Sequence, residues 1–181
     1  MKRKTKLLMA VGLGLGILGK SPQVWAISTA DATITITPVA NVSLAISPTT
    51  YAFGTLDVNT SSVTASALTL TNNGEVDVTV SKQVTNESNP AGWTSGTAAA
   101  ADTYALYTAT STFQPGISDF QTGAHQYGAL NNVTPLEGLG GSTPTVAVSN
   151  SVALWFRLDV PTIVSSQQAR EITVRFTGTA D

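Results

Sequence analysis

The stretch that decides the fold is LTLTNNGEVDVTVS, residues 68–81. Apolar and polar residues alternate on both sides of Asn73-Gly74, with leucines before this pair and valines after it. Such alternation predicts a half-buried β-strand, and Asn-Gly tolerates the positive φ angles of a type I′ turn. We therefore expect a β-hairpin centred on Asn73 and Gly74.

Further alternating runs lie on either side of this stretch, and no window of a dozen residues shows helical spacing. The runs are separated by Gly, Pro, Asn and Ser and cover residues 32–37, 42–47, 104–110, 152–160 and 171–177. Many short strands with turn residues between them are typical of a sandwich or barrel. The pattern predicts an all-β protein with a single antiparallel β-sandwich, immunoglobulin-like or jelly-roll-like.

The last two runs are expected to contribute the C-terminal part of the core. In the first of them Leu154, Phe156, Leu158 and Val160 share one face, and Trp155, Arg157 and Asp159 share the other. In the second, Ile172, Val174 and Phe176 share a face. We expect the two strands to pair antiparallel, with these apolar faces turned inward.

The N-terminus has the form of a secretory signal peptide. Residues 1–6 are basic, and the apolar run of residues 7–19 is too short for a membrane span. We predict a signal peptide over residues 1–26, with cleavage after Ala26, or alternatively after Ala30. The mature chain, residues 27–181, is then expected to be one extracellular or cell-surface domain without a membrane span.

Charge and cysteine content restrict the partners of the mature chain. Five of the nine basic residues lie in the leader, so four basic residues face eleven acidic ones, for a net charge of −7. Nucleic acid is not an expected partner, because phosphate binding requires clustered Lys and Arg. With no cysteine in the chain, stability must come from the apolar core and the sheets.

No motif in the sequence predicts catalysis, a cofactor or a metal. His125 is the single histidine, so a Cys and His zinc set is not possible, and it is expected to be a surface loop residue rather than a general base. The acidic residues are dispersed, with no paired carboxylates and no Asp-rich calcium loop. The sequence thus predicts a protein that is not an enzyme.

Long loops rich in Gly, Ala and Ser are expected at about residues 86–103 and 111–144. They carry a group of aromatic residues that could form a face for a glycan or a partner protein, namely Trp93, Phe113, Phe120, His125 and Tyr127. The alternative, which we favour, is that these rings pack the loops onto one end of the sandwich.

Residues 51–81 resemble a known family. The segment YAFGTLDVNTSS, residues 51–62, followed by LTLTNNGEVDVTV, is similar to the strand and turn pattern of hydin-type immunoglobulin-like domains in bacterial surface proteins. The resemblance implies a sandwich used as a scaffold or adhesive module, and it implies no catalytic residue. The Gly-rich insertion before Val146 departs from that pattern.

The first alternating run suggests how such a protein could assemble. It follows the expected cleavage site, and it either pairs within its own sheet or completes a neighbour's sheet as a donor strand. The residues concerned are Thr33, Ile34, Thr35, Ile36 and Thr37. Our preferred hypothesis is a secreted structural protein of a surface layer, appendage or matrix, acting through protein–protein contacts and possible self-assembly. The alternative is an extracellular binding or adhesion module that recognises a glycan or surface protein.

Overall fold

The computed structural model describes residues 30–88 and 92–181. The expected signal peptide, residues 1–26, lies outside the described residues. The chain divides into two units, Met1–Thr37 and Pro38–Asp181. In the first unit, residues 30–37 contain no strand, and Ile34 and Ile36 are 83% and 81% exposed. The strand expected over residues 32–37 is therefore not formed in the described structure, and which sheet this run completes stays a prediction.

The second unit is built from strands. These are β1 (Leu44–Ser47), β2 (Ser61–Val63), β3 (Leu68–Asn72), β4 (Val78–Ser88), β5 (Thr94–Ser95), β6 (Thr103–Thr110), β7 (Thr134–Pro135), β8 (Glu137–Gly138), β9 (Thr145–Val146), β10 (Ser151–Asp159) and β11 (Glu171–Ala180). A 3-10 turn covers Ile117–Asp119. The described residues contain no α-helix.

The strands form two sheets in which most pairs are antiparallel. Sheet 1 has the order β1-β3-β10-β6-β5, with β2 on β10 and β8 on β6. Sheet 2 has the order β11-β4-β7, with β9 also on β4. The protein is thus all-β, as predicted, and the two sheets are compatible with a β-sandwich.

Apolar side chains from both sheets meet in one core. Sheet 1 contributes Leu70, Leu106, Leu154 and Phe156, and sheet 2 contributes Val78, Val80 and Val84, all of them buried. The predicted inward face of β10 is confirmed, because Leu154, Phe156 and Leu158 are at most 8% exposed. Burial of this apolar area is the main stabilising contribution in a chain without disulfides.

The outer face of β6 and β10 is buried as well. Ala105, Tyr107 and Ala109 of β6 form a second cluster with Trp155 of β10, and Phe120 from the long loop covers them. Trp155 is therefore not a solvent-facing residue. The sequence carries the signal for this, since residues 152–156 and 104–109 are nearly continuous in apolar or small residues, as in strands covered on both faces.

The predicted pairing of the two C-terminal strands is wrong. β10 lies in sheet 1 between β3 and β6, whereas β11 lies in sheet 2 and pairs with β4 along its whole length. The inward faces were predicted correctly, but alternation does not say which sheet a strand joins. The connection at residues 160–170 crosses from one sheet to the other.

The predicted hairpin at Asn73-Gly74 is also wrong. β3 belongs to sheet 1 and β4 to sheet 2, and neither Asn73 nor Gly74 has a positive φ. Asn72, which is fully buried, holds this corner: its amide donates to the carbonyls of Val76 and Val146, and its Oδ1 accepts from the Gly74 amide. Gly74 is needed for space, because a Cβ there would lie 2.5 Å from the Asn41 carbonyl.

A bulge in β4 changes the face of its last residues. Thr173 pairs with Asn86 and Val174 pairs with Val84, so Thr85 is the extra residue. After the bulge Glu87, rather than Asn86, reaches inward, and its carboxylate accepts hydrogen bonds from the Tyr104 hydroxyl at 2.9 Å and the Ser95 amide at 2.7 Å. The bulge thereby gives the buried Tyr104 hydroxyl its acceptor.

Candidate functional site

The long loop is held by a buried lysine. Lys82 projects from β4 and is 0% exposed. Its ammonium donates to the backbone carbonyls of His125 at 2.9 Å, Thr108 at 3.1 Å and Ala124 at 3.3 Å, and lies 5.3 Å from the centre of the Tyr127 ring. Burial lowers the pKa of Lys82 from 10.5 to about 8, and the Glu137 carboxylate partly opposes this effect. No local pattern predicts this site, because the groups that accept from Lys82 are backbone carbonyls of distant residues.

His125 is a buried residue, so the prediction of a surface position is wrong. The Gln121 amide donates to Nδ1 over 2.8 Å, and the Gly138 carbonyl lies 2.9 Å from Nε2. A carbonyl can only accept, so the ring carries a proton on Nε2. With both nitrogens engaged and 0% exposure, His125 fixes the loop and has no free nitrogen to act as a base.

The other aromatic residues of the proposed binding face are mostly withdrawn from solvent. Phe120 is 4% exposed and lies edge-on to the His125 ring, and Tyr127 is 1% exposed and shares a 2.7 Å hydrogen bond with the Thr108 hydroxyl. Trp93 is half-buried, and its ring centre is 6.5 Å from that of Tyr104. Phe113 alone of the five is largely exposed, at 62%. The five residues therefore do not form one exposed aromatic face.

One lateral side of the two sheets is closed by this loop region. The outer edge of β6 is paired with β5, with Gln126 through a bridge at Tyr107, and with β8. On sheet 2, β7 and β9 pair with β4. Closing the edges in this way removes unpaired backbone groups that would otherwise accept another strand.

The opposite lateral side has no such closure. Within residues 38–88 and 92–181, no strand pairs with the outer edge of β1 or of β11. The inward residues Ile172, Val174 and Phe176 of β11 are only partly buried, unlike their counterparts in β10. In this part of the chain, the short edge of β1 and the long edge of β11 therefore carry partly buried apolar residues and no paired strand.

A groove lies between these two edges. Its volume is about 280 Å³, and its lining is mainly apolar: Leu44, Ala45, Ile46, Leu70, Thr85, Thr173, Val174, Arg175 and Phe176. Its end near Gly178 is narrow, because a Cβ on Gly178 would lie 3.1 Å from Leu44 and 3.2 Å from Val42. The bulged Thr85 is part of the lining, as is common for bulges beside binding sites.

In residues 30–88 and 92–181, no group of three or more His, Cys, Asp or Glu side chains could hold a metal ion. In the same part of the chain, no helix has the length and apolar character needed to cross a membrane. The single ion pair found there joins Arg157 and Asp159 at 2.7 Å, with the Arg157 guanidinium over the Tyr107 ring.

Comparison with known proteins adds no assignment. No protein-family model matches the chain, and neither a curated protein nor a solved structure matches it. The groove between β1 and β11 is therefore the candidate site on the strength of its own geometry.

Proposed function

We propose that this chain is an exported structural protein of a cell surface or extracellular assembly, and that it acts through protein–protein contacts rather than catalysis. The leader-like N-terminus and the acidic, cysteine-free mature sequence support export. The resemblance of residues 51–81 to hydin-type domains supports an immunoglobulin-like sandwich used as a scaffold. Both are proposals from the sequence.

The observation that carries the proposal is the contrast between the two lateral sides of the sheets. Short strands from the loop region cap β6 and β4, whereas no strand of residues 38–88 and 92–181 pairs with the outer edges of β1 and β11, which lie beside an apolar groove. Proteins usually protect such edges, because an exposed edge pairs readily with another chain. An edge left open beside a groove is suited to strand addition, in which backbone hydrogen bonds give affinity and pockets give specificity.

The proposal is tested by placing a charge in the groove. Ala45 is exposed and lines the groove, whereas Ser47, on the same strand and also exposed, does not line it. Light scattering and negative-stain electron microscopy of the processed chain should show assembly that Ala45→Lys weakens and that Ser47→Lys leaves intact. A native chain that stays monomeric up to millimolar concentration would overturn self-assembly. Equal effects of the two variants would show that the groove is not the surface through which copies assemble.

A binding module remains the second candidate because Phe113 is 62% exposed and Ile117, four residues further along the same loop, is 44% exposed. These two side chains could contact a glycan or a surface protein. A glycan array and a surface-protein pull-down with Phe113→Ala would decide, and unchanged retention would exclude Phe113 as the contact.

A further inference from the structure

Among the strands that the structure describes, β11 has the longest unpaired backbone edge beside the groove. β11 runs for ten residues, Glu171–Ala180, and β1 for four, Leu44–Ser47. Along β11 the inward residues are Ile172, Val174 and Phe176, and the outward residues include Thr173, Arg175 and Thr177. A strand added here would need apolar residues on one face and small polar residues on the other.

Residues 31–37 have this pattern. Ile34 and Ile36 share one face, and Thr33, Thr35 and Thr37 share the other. Two isoleucines exposed by 83% and 81% are unfavourable in water, and each would gain by burial. A cavity of about 150 Å³ suffices for a benzene ring, so a groove of about 280 Å³ is large enough for two aliphatic side chains.

We infer that the groove receives residues 31–37 of a second copy of this chain, as an added strand on the free edge of β11. Ile34 and Ile36 enter the groove beside Val174 and Phe176. Thr33, Thr35 and Thr37 lie outside beside Thr173 and Thr177, where threonine pairs across strands are favourable. Because each copy has both a segment to donate and a groove to fill, the contact is head-to-tail and extends into a filament unless the rotation closes a ring. This inference rests on the proposed function.

The connection between residues 31–37 and the fixed part of the chain is short. The carbonyls of Asn41 and Ser43 accept hydrogen bonds from the amides of Glu75 and Asn73, both at 2.8 Å, so the chain is fixed from Asn41 onward. Only residues 38–40 remain for a reversal before β1, and the first of them is a proline. A second copy avoids this short reversal.

The test compares two pairs of substitutions that add equal charge to opposite faces of the segment. Ile34→Asp with Ile36→Asp places the charges on the face that enters the groove, and Thr33→Asp with Thr35→Asp places them outside. Analytical ultracentrifugation of the processed full chain measures the dissociation constant of self-association. The isoleucine pair should raise this constant at least about 100-fold, which corresponds to about tenfold for each side chain. The threonine pair should change it by less than about tenfold.

Cross-linking identifies the partner chain. The protein has no cysteine, so single cysteines at Ile36→Cys and Val174→Cys provide the only thiols. Mixing the two proteins under mild oxidation should give a disulfide-linked dimer of one copy of each, and Thr35→Cys in place of Ile36→Cys should give much less. A double variant that cross-links within a monomer would overturn the inference in favour of self-insertion.

The outcomes separate the inference from the proposed function. If Ala45→Lys weakens assembly and the isoleucine pair does not, the groove is a contact between copies but residues 31–37 do not occupy it. That outcome would overturn the inference and keep the proposed function. Assembly that neither change affects would overturn both. Circular dichroism of every variant serves as the folding control, and the isoleucine pair should fold normally because both positions are exposed.

Discussion

The ammonium of Lys82 donates a 2.9 Å hydrogen bond to the backbone carbonyl of His125, in a position with no exposure to solvent. This contact joins β4 of sheet 2 to the loop that covers the outer edge of sheet 1. Lys82 also reaches the Thr108 carbonyl of β6, so one side chain ties together both sheets and the loop. The groups that accept from this buried ammonium are neutral carbonyls rather than a carboxylate. Its positive charge is therefore not balanced by a contacting negative charge, and the ammonium loses its proton at a lower pH than an exposed lysine does.

Stability should rise with pH above 8 because of Lys82. Its pKa is about 8 in the folded chain and 10.5 ordinarily, so between these values the unfolded chain holds a proton that the folded chain has released. Unfolding then takes up protons, and the free energy of unfolding increases with pH. We expect a gain of about 1.5 kcal/mol between pH 8 and 9.5, measured by urea denaturation. In Lys82→Met this slope should disappear, and an unchanged slope would contradict the assignment.

Above pH 10 the trend should reverse because of two buried tyrosines. Burial raises the pKa of Tyr127 and of Tyr104 far above the usual 10, and the hydrogen bond to Glu87 raises that of Tyr104 further. The unfolded chain then ionises where the folded chain does not, so stability is lost as pH rises above 10, by about 1.4 kcal/mol for each tyrosine at pH 11. Tyr127→Phe should remove about 1.4 kcal/mol of this alkaline loss at pH 11 in the same urea experiment. Loss of the same size in Tyr127→Phe would show that other groups cause it.

The corner between the sheets should depend on Asn72 and not on Asn73. Asn72→Ala removes two donated hydrogen bonds and one accepted one inside the protein and should cost about 3 kcal/mol, since buried polar groups lose their partners. Asn73→Ala is the matched control, because Asn73 is exposed and needs no positive φ, and it should change stability by less than about 0.5 kcal/mol. A type I′ hairpin turn would give the opposite ranking, so thermal unfolding of the two variants distinguishes the two structures.

The sequence predicted strands and their buried faces well because each alternating run specifies its own two faces. Leu154, Phe156 and Leu158 of β10 illustrate this. The sequence did not predict which strands are neighbours, because a strand with one apolar face fits either sheet. The Asn73-Gly74 pair was misread for a similar reason, since it suits a corner between sheets as well as a hairpin turn. Lys82 was missed for a related reason: its acceptors are backbone carbonyls more than 25 residues away, which leave no mark on the local sequence. The run that contains Ile34 and Ile36 was predicted to be a strand, yet it forms none in the structure, because alternation does not say whether a strand finds a partner.

The loop at residues 111–142 should stabilise the fold through Phe120 rather than present a binding face. Phe120 is 4% exposed against Trp155 and Tyr107, so Phe120→Ala opens a space over the outer face of sheet 1 and should cost about 3 kcal/mol or more. Phe113→Ala is the matched control, the same substitution on the same loop at a ring that is 62% exposed, and it should cost less than about 0.5 kcal/mol. Urea denaturation gives both values, and tryptophan fluorescence in a Trp93→Phe background reports whether the cover over the Trp155 ring has opened. Equal small effects would mean that the loop contributes little to stability, and the aromatic group would again be available as a binding surface.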